Sequence, residues 1–269
     1  MMQNLSHAFG DGVAIAGRNV IKIKRVPEIL VGVLVMPLIF VFMFAYVFGS
    51  SIDVPGGSYR EFLVGGAFAL ILTFGATFTG AGLADDMQKG IVNRFRSLPM
   101  SRSAVVFGRT ASDVIYNVLS LVVMAAAGLL VGWRIHDGIG SALLGFGLLL
   151  LFAYAMSWIM AFVGLLVRNV ESVNNASTMV IFPLTFISNT FVPAENLPTA
   201  LRVFAEWNPV SAVTQAAREL FGNLPAGAPE SSVWSLQNPV LYTLIWVTLI
   251  VAVFAPLAVR RYNVAKTSL

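Results

Sequence analysis

The chain has 269 residues, 57% hydrophobic and only 11% charged, against roughly a quarter charged in a soluble domain. That balance excludes an ordinary soluble enzyme and points to an integral membrane protein. Seventeen Lys and Arg against thirteen Asp and Glu leave a net charge of +4, and their placement says more than their sum. The absence of cysteine excludes disulfides, thiolate zinc sites and iron–sulfur clusters. His7 and His136 are the two histidines, too few for a His-based metal cluster.

Residues 1–28 form a lead-in with apolar Val13, Ala16, Val20 and Ile23 and basic Arg18, Lys22, Lys24 and Arg25. This pattern reads either as a basic amphipathic helix on the cytoplasmic headgroups or as a plain positive flank. Uncharged windows of the length a bilayer-spanning helix needs follow at about 29–49, 62–84, 112–133, 141–167, 172–191 and 240–259. The first is longer than a signal-peptide core and five more follow it, so it is retained as a span. The third is entered through a more amphipathic segment, 103–113. The windows are apolar on every face, which excludes a barrel of alternating strands. The expected fold is therefore an all-α polytopic membrane protein of six transmembrane helices. A cytoplasmic amphipathic helix precedes them, residues 29–260 form one transmembrane domain, and 261–269 form a tail.

Six spans leave both ends on one side, and thirteen of the seventeen basic residues fall there. They are Arg18, Lys22, Lys24, Arg25, Lys89, Arg94, Arg96, Arg102, Arg109, Arg168, Arg260, Arg261 and Lys266. Arg60, Arg134, Arg202 and Arg218 fall on the other. Basic residues are retained inside, so both termini are expected in the cytoplasm of a plasma-membrane protein.

Catalytic patterns are missing. No phosphate-binding Gly-x-x-x-x-Gly-Lys-Ser/Thr and no Gly-x-Ser-x-Gly elbow occurs, and His7 and His136 are predicted on opposite sides of the membrane. Asp85-Asp86 lacks the second acidic cluster that a shared-metal diphosphate site requires. The spans hold no deep ionisable residue of the kind a proton- or ion-driven carrier uses. Asp113 lies near the entrance of the third, four residues after Arg109, as a helical i,i+4 pair would. The run Asn174-Asn175-Ala176-Ser177-Thr178 either lines a pathway or hydrogen-bonds between helices. Gly65-Gly66, Gly75-Ala76, Gly80-Ala81-Gly82 and the pair Gly128 and Gly132 mark close helix packing.

Two connecting stretches stand out. In 85–102, acids open the segment, basic residues follow, and Ile91, Val92, Phe95 and Leu98 recur at helical spacing before Pro99 ends the turn. Such a helix docks on a soluble partner or rests on anionic headgroups. In 192–238, Pro193, Pro198, Pro209, Pro225 and Pro229 interrupt amphipathic pieces around 197–207 and 210–221. Short re-entrant helices capping the outer end of a pathway, before the last span, satisfy that pattern.

The chain resembles the permease subunit of ABC-2 type exporters, in particular the daunorubicin/doxorubicin-resistance (multidrug) permeases of actinobacteria. The resemblance rests on Met36-Pro37-Leu38, Tyr46-Val47-Phe48-Gly49, Gly82-Leu83-Ala84-Asp85-Asp86, Lys89-Gly90-Ile91 and Arg94-Phe95-Arg96-Ser97-Leu98-Pro99-Met100-Ser101-Arg102. Asn189-Thr190-Phe191-Val192-Pro193 and Trp207-Asn208-Pro209-Val210 extend it. It implies a non-catalytic permease that moves a hydrophobic or amphiphilic compound (drug, polyketide or lipid) out of the cell. The implied partners are a cytoplasmic ABC ATPase, which carries the ATP and Mg, and a second copy of the chain or a homologous permease. No cofactor is expected on the chain itself, and no nucleic-acid partner. The implied docking residues are Arg18, Lys22, Asp86, Gly90, Arg94, Phe95, Arg96, Leu98 and Pro99. Asn174, Asn175, Thr178 and Asn189 are the candidates for lining the pathway. A stand-alone secondary carrier and a non-transporting membrane scaffold are the alternatives.

Overall fold

The computed structural model describes residues 35, 37–48, 58–91, 102–167, 169–194, 197–224 and 233–264. Among these the ordered elements are all helical. Helix α1 (Pro37–Val47) widens into a π-helical turn over Phe44–Phe48. It is followed by α2 (Tyr59–Gly75), α3 (Thr77–Gln88), α4 (Arg102–Val131), α5 (Gly138–Leu166) and α6 (Val170–Phe186). The short helices α7 (Thr199–Glu206), α8 (Pro209–Phe221) and α9 (Trp234–Gln237) precede the long α10 (Pro239–Val264).

Four helices are long and apolar enough to cross a membrane: Tyr59–Gln88, which joins α2 and α3, then Val106–Val131, Gly138–Leu166 and Pro239–Val264. They coincide with the second, third, fourth and sixth expected spans. The fifth window holds α6, whose 17 residues span about 25 Å at 1.5 Å per residue, less than a hydrocarbon core of roughly 30 Å. Of the first window, only the part around α1 lies within the described residues.

The bundle has two recognisable ends. At one, the start of α2, the α4–α5 connection and α7 to α9 meet, with the His136 amide donating to the Phe221 carbonyl at 2.8 Å. This is the cap end. At the other, Phe107 meets Trp158 edge-on at 4.9 Å, and Leu83, Val106, Trp158, Leu165 and Tyr262 share a buried cluster. This is the loop end, since α3 runs there into residues 89–91.

Small residues set the crossings. A Cβ on Gly164 would fall 2.3 Å from the Gly80 carbonyl oxygen, so the α3 and α5 backbones touch there. One on Gly66 would fall 2.3 Å from the Thr190 carbonyl oxygen. The expected pairing of Gly128 with Gly132 in one packing seam needs correction. Gly128 faces Val64 and Trp133, but Gly132 has φ +102 just past the end of α4, with nothing within 4 Å of where its Cβ would be. It turns the chain rather than packing it.

Candidate functional site

At the loop end, the stretch expected to leave the membrane at 85 stays helical through Gln88. Lys89 Nζ lies 2.8 Å from Asp85 Oδ1, and this hydrogen-bonded carboxylate raises the lysine pKa above its ordinary value. Asp86 is buried at 6% exposure. Gly90 then takes a left-handed conformation, φ 65, and its amide donates to the Met87 carbonyl at 3.1 Å, which closes the helix. Of the nine expected docking residues, Asp86 and Gly90 are therefore placed at the stem of the loop. Arg18, Lys22, Arg94, Phe95, Arg96, Leu98 and Pro99 lie outside the described residues.

Directly beside this stem sits the i,i+4 pair expected from the spacing of Arg109 and Asp113, and it is buried. Arg109 and Asp113, one turn apart on α4, are 8% and 2% exposed, with Arg109 Nε 3.9 Å from Asp113 Oδ1. Arg109 also crosses to α3, where its NH2 group donates to the Phe78 carbonyl at 2.8 Å. The Thr79 hydroxyl donates to the second carboxylate oxygen of Asp113. Gly82 makes room for this contact, because a Cβ there would fall 2.0 Å from the arginine NH2. The pair thus binds two helices, a role that the i,i+4 spacing alone does not disclose.

At the cap end, α8 starts and stops where its sequence dictates. Asn208 caps it by accepting from the Val210 amide at 2.8 Å, Pro209 occupies the first turn, and Gly222 ends it at φ 70. The Asn208 amide also donates to the Leu184 and Ile187 carbonyls at 2.6 and 2.8 Å, so the same side chain closes the end of α6. Trp133 Nε1 donates to Asn223 Oδ1 at 2.6 Å, and Asn223 Nδ2 donates to the Arg134 carbonyl at 2.7 Å. These bonds tie the α4–α5 connection to the end of α8.

Arg218 is the most buried charged side chain of this end among the described residues, at 1% exposure. Its guanidinium donates to the carbonyls of Phe62, Asn189 and Thr190 at 2.9, 2.9 and 3.0 Å and lies 3.5 Å over the Phe62 ring. Burial pulls its pKa down to about 9, which leaves the group charged at neutral pH. Beside it, burial raises the Glu219 carboxyl pKa, opposed by a hydrogen bond with Gln215. From the sequence, Arg218 is one of four basic residues expected on the outer side, with nothing to mark its burial. The combination Asn208-Pro209 followed by Gly222 is the signal that could have delimited its helix.

The four expected pathway residues do not come together. Asn174, Asn175 and Thr178 lie exposed on α6, with Thr178 Oγ1 returning a hydrogen bond to the Asn174 carbonyl at 2.9 Å. The same helix exposes Met179, Val180, Phe182 and Phe186. Asn189 lies past the far end of α6, buried at 4%, where its amide nitrogen donates to Ser211 Oγ at 3.0 Å. It belongs to the joint between α6 and α8 rather than to the open face.

Comparisons with known proteins bear on this arrangement. Residues 12–221 match the family model described as ABC-2 type transporter. The daunorubicin resistance ABC transporter permease protein DrrB1 of Streptomyces coeruleorubidus is 32% identical over 246 residues, 91% of this chain and 83% of that protein. The probable doxorubicin resistance ABC transporter permease protein DrrC of Mycobacterium tuberculosis is 24% identical over 243 residues, 88% of this chain and 83% of that protein. A putative transport permease, ycf38, of Pyropia yezoensis is 23% identical over 216 residues, covering 78% and 74%.

Proposed function

Because the chain belongs to the ABC-2 type transporter family, we propose that it is the membrane permease subunit of an ATP-driven exporter, working as a pair of permeases with a separate cytoplasmic ATPase. The match over residues 12–221 is the observation that carries this reading. The relatives named as drug-resistance permeases support a hydrophobic or amphiphilic cargo, a drug, polyketide or lipid. The full reading has six spans, the first and fifth built around α1 and α6, and both termini cytoplasmic. In it α7 to α9 are re-entrant helices capping the outer end. ATP and Mg belong to the partner, and the chemistry done by this chain is binding and movement.

In this scheme the ATPase grips the lead-in through Arg18 and Lys22 and the loop through Gly90, Arg94, Phe95, Arg96, Leu98 and Pro99, with Asp86 buried at the stem that carries them. Nucleotide-driven approach of two ATPase subunits pulls the paired loops, and the bundle alternates between inward- and outward-open states. The exposed α6 face with Asn174, Asn175 and Thr178 lines the route between the two permeases, where an amphiphile needs a few hydrogen-bonding groups among apolar ones. Asn189 stands at its capped end.

Replacing Phe95→Ala together with Leu98→Ala removes the apolar knob of the loop. Efflux is expected to fall at least about tenfold while membrane insertion and ATP hydrolysis persist, as loss of a small buried anchor predicts. Unchanged efflux would contradict the docking role.

A further inference from the structure

The long span Tyr59–Gln88 is not one uniform helix. At Ala76 the regular hydrogen bonding tightens: its amide donates three residues back to Thr73 at 3.3 Å, and the Thr79 amide donates three residues back to Ala76 at 3.1 Å. Such a short 3₁₀ stretch within a helix is a common site of bending. Two side chains mark the same place. The Thr73 hydroxyl donates to the Ala69 carbonyl one turn back at 2.6 Å, a bond that bends helices. The Thr77 hydroxyl is buried with no hydrogen-bond partner among the described residues.

The two halves on either side of this break share α4, α5 and α6 as neighbours but carry different polar fastenings. The upper half, α2, is held at the cap: Arg218 donates to the Phe62 carbonyl and lies against Gly65, and Gly66 abuts the Thr190 carbonyl. The lower half, α3, is held to α4 by Arg109 on Phe78 and by Asp113 on Thr79, and to α5 where Gly80 meets Gly164. The lower half also ends in Asp86 and Gly90, the stem of the loop.

We infer that Ala76 is a hinge and that Arg109 and Asp113 are positioning residues for transport. They lock α3 to α4, so that displacement of the loop moves the two as one body and is taken up at the break instead of being lost in sliding between helices. The inference rests on the exporter reading. Charged groups facing each other inside a membrane bundle are costly, and a pair that does no work for the transported compound calls for such a role. Within α4, Arg109 Nε and Asp113 Oδ1 face each other at 3.9 Å and neither has a hydrogen-bond partner among the described residues, whereas the other ends of both side chains are hydrogen-bonded to α3.

The chain contains no cysteine, so introduced cysteines can be spin-labelled selectively. Ser58→Cys with Gln88→Cys brackets the hinge, and Gln88→Cys with Ala111→Cys bridges α3 to α4; all three positions are exposed. Distances are measured by pulsed electron paramagnetic resonance in the assembled complex, the labelled permease diluted with unlabelled copies, without nucleotide and after trapping with ATP and vanadate. The hinge predicts a change of about 3 Å or more across Ala76 with less than about 1 Å between α3 and α4. A fixed distance across Ala76 in a complex that hydrolyses ATP would overturn the hinge while leaving the exporter reading intact. Absence of nucleotide hydrolysis in the wild-type complex would overturn that reading and the inference with it.

A functional arm separates positioning from simple support. Asp113→Asn and Arg109→Gln are expected to keep ATP hydrolysis within about twofold while transport per ATP falls about tenfold, with the α3–α4 distance distribution broadened. Transport and hydrolysis falling in parallel, with that distribution unchanged, would assign the pair a structural role only.

Discussion

Arg109 and Arg218 are both buried guanidinium groups bracing a helix against its neighbours, and the two ends of the bundle stabilise them differently. At the loop end the charge is offset by Asp113 one turn away on the same helix, and the pair reaches across to α3. At the cap end Arg218 forms no ion pair among the described residues and rests on three carbonyls and the face of Phe62. Carbonyl dipoles are fixed in the backbone, so the cap contact is rigid and tolerates no shift of α2 against α8. The ion pair lies within α4, so what crosses between helices at the loop end is Arg109 on one carbonyl, that of Phe78, and Thr79 on Asp113, two hydrogen bonds against the three of the cap. The difference suits a molecule whose cap stays assembled while its loop end is pulled.

The largest expected effect tests the cap. Arg218→Met keeps much of the apolar stem but leaves three buried carbonyls without a donor, which costs about 4 kcal/mol. Arg218→Lys is expected to recover less than half, because one ammonium cannot span the three acceptors that the planar fork reaches. Thermal unfolding of the purified protein in mild detergent reads both.

The loop end should behave otherwise. Asp113→Asn strands the Arg109 charge and costs about 3 kcal/mol, whereas Arg109→Met together with Asp113→Leu, which removes both charges, is expected to cost less than either single change. Stability restored in the double variant with transport still lost would sharpen the distinction between holding the bundle together and moving it. A double variant as unstable as the sum of its parts would show that the two charges act independently rather than as a pair.

Smaller effects separate backbone contact from side-chain contact. Gly164→Ala places a methyl group against the Gly80 backbone and is expected to cost about 2–3 kcal/mol, since neither helix can yield locally. Gly82→Ala meets the end of the Arg109 side chain, which can swing aside, and is expected to cost about 1 kcal/mol in the same assay. The reverse order would mean that Arg109 is held as firmly as backbone.

Hydropathy made most of the helical architecture legible, because a bilayer demands uninterrupted apolar length and four long helices answer to it. It could not disclose the break at Ala76: the position lies inside one uncharged window, 62–84, and the change lies in which carbonyl an amide selects. Cap positions were partly legible, since Asn208, Pro209 and Gly222 follow helix-end chemistry. The burial of Arg218 was hidden, because a basic residue on an amphipathic piece reads as solvated until tertiary contacts surround it. Gly128 and Gly132 illustrate the same limit, since equal residues at helical spacing served packing in one case and a turn in the other.

The most direct test of the central claim is co-purification of the chain from native membranes in mild detergent, followed by an ATPase assay on the material that accompanies it. The exporter account predicts a stoichiometric cytoplasmic ATPase whose activity in the complex depends on this permease. Recovery of the chain with no nucleotide-hydrolysing partner, while the membranes it came from still export amphiphilic compounds through it, would contradict that account and leave a self-sufficient carrier.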